Sequence, residues 1–232
     1  MTTVLTETTD QTVLQLNTKS THHNQPGVHR RIQFDKTHLT KIPQHLTIVV
    51  SRELSSTRSR KDWEKLMYDI SIATCWAWDF GIKEISLYDA SGVIKSMSID
   101  LYKQQSTILH DYIVEYNKGE KTRPPVVKFS ILSLENGKSY VGQVAQQMAK
   151  DNLGPIDVKL VDKYIHMNSV SDPDLMILYD GLPHNYVSLD GYPPWHIRLT
   201  EIANCSEYHT LNYHLFSKCL YRFSKVQQRF GH

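Results

Sequence analysis

The densest run of side chains able to do chemistry is Trp195-His-Ile-Arg-Leu-Thr-Glu201, entered through Pro193-Pro194. The two prolines force an extended entry, and Ile197 and Leu199 then alternate with His196, Arg198 and Thr200. The stretch therefore reads as a strand with one apolar face and one polar, charged face. Trp and Arg are the side chains most enriched where partners meet, which makes Trp195, His196, Arg198 and Glu201 a candidate interface rim. A half-exposed edge strand has the same pattern, and patterning leaves both readings open.

Other reactive residue types are less organised. His22 and His23 are adjacent on a polar arm and lack the spacing and supporting partners of a metal site. Cys75, Cys205 and Cys219 share no metal-ligand spacing and cannot all pair, which points to a reducing compartment. Arg58, Arg60 and Lys61 open an apolar-periodic stretch against the helix dipole, as an anion site or as surface charge. The net charge of +2, from 26 basic and 24 acidic residues, is too balanced to argue for nucleic acid.

The elements that must position these residues follow from periodicity. Residues 1–40 are rich in Thr, Gln, Asn and His and are expected to form a disordered or loosely docked arm. His45–Val50 is a β-branched, unbroken strand of the kind found in the middle of a parallel sheet. A helix over 58–80 stopped by Gly81, a strand over 84–88 and a turn over 89–92 complete a strand, helix, strand unit. Helices are expected over 98–117, 138–150, 158–167 and 207–228, with strands over 126–132 and 174–179. The fold class is α/β, an open, mostly parallel sheet with helices on both faces. The crevice of such a sheet lies beyond the carboxyl ends of its strands, where this chain continues Ser51-Arg52-Glu53. No run approaches the roughly 18 apolar residues that a membrane span needs.

Three stretches carry a family resemblance. Asp172-Pro-Asp-Leu followed by Pro194-Trp-His-Ile-Arg-Leu-Thr-Glu closely resembles the Nogo-B receptor family, the accessory subunits of eukaryotic dehydrodolichyl diphosphate synthase. Ile85-Ser-Leu-Tyr-Asp-Ala-Ser-Gly resembles that family's strand and turn, and Arg229-Phe-Gly231 resembles its C-terminal Arg-x-Gly. Coverage runs from about Lys41 to the end, giving a cis-prenyltransferase-like domain over 41–232.

The resemblance implies a non-catalytic subunit in a heterodimer or heterotetramer with a catalytic cis-prenyltransferase, which elongates farnesyl diphosphate with isopentenyl diphosphate. The product would feed dolichol synthesis for protein glycosylation. Mg²⁺ would sit in the partner's active site, which Arg229 and Gly231 would complete across the interface; a terminal arginine with no such role would simply fray. Catalytic relatives carry Asp-Gly-Asn where this chain has Ser51, Arg52 and Glu53, and a serine lacks the anionic oxygen that Mg²⁺ prefers. Leu178 stands at their first diphosphate-gripping Arg, and only Ser188 and Asp190 lie near the second. Trp195 and Glu201 keep their places, but without Asp at 51 Glu201 is expected to be a structural or interface carboxylate. Leu101, Ile108, Tyr112 and Val114 fall on the helix that in those relatives lines the isoprenoid tunnel, and they read equally as core. The implied location is the cytosolic face of the endoplasmic reticulum membrane, with attachment supplied by the partner, a surface face or a segment missing from this chain. The family name offers another reading, a receptor or scaffold without a role in prenyl transfer.

Overall fold

A computed structural model describes residues 27–50, 59–116, 127–151, 154–179, 189, 191–204 and 211–227. Five strands, His45–Val50 (β1), Glu84–Asp89 (β2), Lys128–Leu132 (β3), Leu175–Tyr179 (β4) and Glu201–Asn204 (β5), form one sheet in the order β3-β2-β1-β4-β5. All four pairings are parallel. The chain builds outward from β1 to β2 and β3, then returns to lay β4 and β5 on the other side. The topological switch point therefore lies between the carboxyl ends of β1 and β4, where parallel α/β sheets place their ligand crevice.

Every residue of β1, β2 and β4 is buried, which is why these strands read as continuous rather than alternating apolar runs. Leu46, Ile48, Ile85, Leu87 and Ile177 share one face with the apolar sides of Arg60–Phe80 (α2) and Tyr213–Lys225 (α7). Val49, Tyr88, Met176 and Leu178 occupy the other face beside Tyr192.

The helices end where local chemistry ends them. Ser59 caps α2 in a capping box with Asp62, which places an acid in a first turn that otherwise carries Arg60 and Lys61. Gly81 closes α2 in the left-handed conformation at φ 86°, and Ile82 then packs back into the core. A one-turn helix, Val93–Ser96 (α3), precedes Ser98–Tyr116 (α4), while Lys138–Lys150 (α5) and Val158–His166 (α6) lead back to β4. Leu101 and Ile108 of α4 are buried but Val114 is exposed, so the described part of that helix supplies core rather than a continuous tunnel wall.

Two expectations need correction. The expected polar arm contains, in its described part, the helix Val28–His38 (α1), with Ile32 fully buried. Little of its surface is apolar, and polar contacts dock it instead. Buried Asp79 accepts from Gln33 at 3.1 Å and faces His29 Nδ1 at 2.9 Å, while Asp35 accepts from Tyr213 and Tyr221. Residues 195–200, expected as a strand, instead contain the 3₁₀ turn Pro194–Ile197. Proline is well suited to the first position of such a turn, and β5 begins only at Glu201, the last residue of the expected strand.

Candidate functional site

The expected crevice is apolar in its described part. Leu178 is only 5% exposed and packs with Val49, Tyr88 and Tyr192, whose two rings meet edge to face at 5.1 Å. An apolar side chain so enclosed offers a diphosphate nothing. At the end of β2, Asp89 is fully buried and uses both oxygens on Ser91 and on the amide of Ile94, so it caps the next turn and does not fit a Mg²⁺ ligand. Ser51 to Glu53, Ser188, Asp190, Arg229 and Gly231 lie outside the described residues.

The segment singled out as an interface is built differently from the expected two-faced strand. The turn folds His196 inward to 1% exposure and leaves Leu199 at 56%, the reverse of the alternation expected from sequence. Trp195 packs with Val144, Met148 and Ile165 of α5 and α6 while its Nε1 donates to Asp162 at 2.9 Å. Arg198 donates to the same carboxylate oxygen at 2.8 Å and lies 5.4 Å from the Trp195 ring centroid, within cation–π range. Trp195 and Arg198 thus first tie their own turn to α6. Glu201 sits at the amino end of β5, in register with Leu175, and not at the carboxyl-end crevice of this chain.

Sequence reading missed the cluster beneath this turn. Asp172 Oδ1 lies 2.9 Å from His166 Nε2 and 2.8 Å from His196 Nδ1, and the two imidazoles meet edge to face at 4.9 Å. His166 Nδ1 donates to the Asp162 carbonyl at 2.8 Å, and His196 Nε2 lies 3.0 Å from Ser169 Oγ. Burial penalises the Asp172 carboxylate, but the hydrogen bonds from both histidines outweigh it and hold its pKa below the usual range. His166 is shifted up: burial opposes its charge, and Asp172 and the Asp162 carbonyl overcome that. Burial dominates at His196 and pushes it down. The only sequence signal was the Asp172-Pro-Asp motif; the 24-residue separation of Asp172 from His196 gives no local pattern.

At the opposite side of β4, Asp174 accepts from the amides of Gln44 and His45 and fixes the entry of β1 beside it. The motif Asp172-Pro-Asp174 therefore has two structural roles, one carboxylate holding the 195–198 turn and the other holding the strand ends.

The five-stranded parallel sheet and its switch point define an open α/β fold, and comparison with solved structures shows that it is similar to that of a probable undecaprenyl diphosphate synthase. A probable undecaprenyl diphosphate synthase from Campylobacter jejuni superposes with a TM-score of 0.52 at 13% identity, covering 83% of this chain and all of the other. No family model matches the chain. The dehydrodolichyl diphosphate synthase complex subunit NUS1 of Homo sapiens is 27% identical over 90% of this chain and 77% of its own length. The mouse subunit of that name is 28% identical over 88% and 72%, and that of Schizosaccharomyces pombe 23% over 91% and 84%. The resemblance carried by a few short motifs thus extends over most of the chain, which is similar in sequence to these complex subunits.

Proposed function

We propose that this protein is the non-catalytic subunit of a heterodimeric dehydrodolichyl diphosphate synthase. The observation that carries the reading is its similarity to complex subunits over about nine-tenths of its length. The apolar, enclosed Leu178 and the fully committed Asp89 at the crevice agree with it, since neither serves phosphate or metal. A catalytic cis-prenyltransferase partner supplies the carboxylate and Mg²⁺ that ionise the allylic diphosphate of farnesyl diphosphate. This chain supplies the interface, to which exposed Leu199 and half-exposed Arg198 contribute, and the tail. The Arg229 guanidinium and the Gly231 amide are suited to grip a diphosphate in the partner's site. The complex works on the cytosolic face of the endoplasmic reticulum, making the dolichol precursor for glycosylation. No helix among the described residues is long and apolar enough to cross a membrane.

The test is isopentenyl transfer from farnesyl diphosphate with Mg²⁺, for this chain alone and mixed with a catalytic-type subunit of the same organism. Product is expected only in the mixture, and Arg229→Ala is expected to lower turnover by roughly 100- to 1,000-fold, as for removal of a transition-state donor, with co-purification intact. Equal turnover of the variant and parent complexes would reject the shared site; no product in either case would favour a scaffold.

A further inference from the structure

Beneath the 195–198 turn, the donor atoms of His166, Asp172 and His196 all lie within 4.8 Å of one another. From this convergence we propose that the three side chains form a structural site for a divalent transition-metal ion, Zn²⁺ by preference, which pins the turn to the end of α6. The site is independent of the prenyl-transfer reading, since none of its atoms belongs to the crevice.

Four features favour a metal over a plain hydrogen-bonded cluster. The first is orientation of the ligands by outer partners. A carbonyl can only accept, so His166 Nδ1 carries its proton toward Asp162 and Nε2 is left to face the cluster. His196 is held similarly, with Nε2 against the Ser169 hydroxyl and Nδ1 facing in. Metal-ligating histidines are almost always fixed in this way through their second nitrogen.

Second, two ring nitrogens converge on one oxygen, Asp172 Oδ1, at 2.9 and 2.8 Å. An ion seated among the three donors would replace the two bridging protons. Bonds of about 2.0–2.2 Å put tetrahedral donors about 3.3–3.6 Å apart, so the carboxylate must withdraw by roughly half an ångström and the two ring nitrogens, within 4.8 Å of each other, must settle at the same spacing. Its side chain is 38% exposed and has room to turn. Third, access is graded. His196 is 1% exposed, whereas His166 and Asp172 are 27% and 38% exposed, leaving an entry path for the ion.

The fourth feature is charge. Asp162 and Asp172 bring two carboxylates, and Arg198 returns one positive charge, 2.8 Å from Asp162 and 3.4 Å from Asp172 Oδ2. The surroundings remain net anionic, and Arg198 engages the oxygen that the ion does not use. Two imidazoles and one carboxylate suit Zn²⁺ far better than Mg²⁺ or Ca²⁺, which take mainly oxygen ligands.

The experiment uses the full chain stripped with a chelator, titrated with Zn²⁺ by calorimetry and with Co²⁺ as a spectroscopic probe. Expected are one Zn²⁺ per chain at this site, visible Co²⁺ absorption of a four-coordinate complex, and a higher Tm with Zn²⁺. His166→Gln should weaken binding by about 100-fold or more, because loss of even an outer partner typically costs 10- to 100-fold. The same change should abolish the Co²⁺ absorption, while His22→Gln with His23→Gln leaves both signals intact. Absence of stoichiometric Zn²⁺ binding, or binding unaltered by His166→Gln, would overturn the site. If His166→Gln does not fold, the Co²⁺-shifted imidazole N–H resonances of the parent chain decide instead: two support the site, and fewer refute it.

Discussion

His45 shows at the scale of one residue how this sheet is tied together. It is 1% exposed at the head of β1, with Nδ1 2.8 Å from the Ser171 carbonyl and Nε2 2.8 Å from Ser86 Oγ. A neutral ring satisfies both contacts, donating to the carbonyl and accepting from the hydroxyl. Burial pushes its pKa below 6.5, although Glu84 nearby pulls the other way. The stability that this neutral histidine contributes is fully present above the unfolded value of 6.5 and is lost as pH falls through the lower folded value. Each such proton changes unfolding free energy by up to ~1.4 kcal/mol per pH unit in that window. Denaturant unfolding at stepped pH should therefore show stability falling below pH 6.5. His45→Gln should lower stability at pH 7.5 yet remove one proton's share of that slope. An unchanged slope in the variant would show that His45 is not the titrating group.

At the scale of elements, the 195–198 turn depends on close backbone approach as much as on its side chains. A Cβ on Gly137, at the start of α5, would clash with the carbonyl oxygen of Gly191, a backbone group that cannot turn aside as a side chain would. Gly137→Ala must separate α5 from the chain entering Pro193-Pro194 and is expected to cost ~1–3 kcal/mol, the usual range for overpacking. Chemical denaturation would measure it, and a cost below about 0.5 kcal/mol would mean that the contact relaxes freely. This junction also shows what sequence could and could not reveal. Arg60–Phe80 was legible to within two residues because apolar spacing, Gly81 and a long run agree. Lys138–Lys150 was legible at both ends. The turn was not, because Trp195-His-Ile-Arg-Leu-Thr alternates like a strand, and what folds it is Pro194 together with a carboxylate 24 residues before His196. α1 was hidden for a related reason: its anchors are Asp79 and two tyrosines far along the chain, rather than an apolar stripe of its own.

For the molecule as a whole, the proposed non-catalytic role raises the question of whether a few substitutions or the packed structure itself would keep the crevice from acting. Ser51 and Leu178 were recognised from sequence as departures, but sequence could not say how deeply Leu178 is committed. β4 runs between β1 and β5 with every residue buried, and Leu178 faces Val49, Tyr88 and Tyr192 rather than an open pocket. Placing a guanidinium there would bury a charge among apolar and aromatic side chains. An uncompensated buried charge costs on the order of 3–5 kcal/mol, which for a domain of this size is a Tm loss of roughly 10 °C. Leu178→Arg is therefore expected to destabilise the chain without giving isopentenyl transfer on its own, as read by a thermal melt and the transfer assay together. A variant of parental stability that gained activity alone would mean that the crevice is an intact site lacking one residue. The expected pair of results would mean instead that the core has closed over that position, leaving the chemistry to the partner.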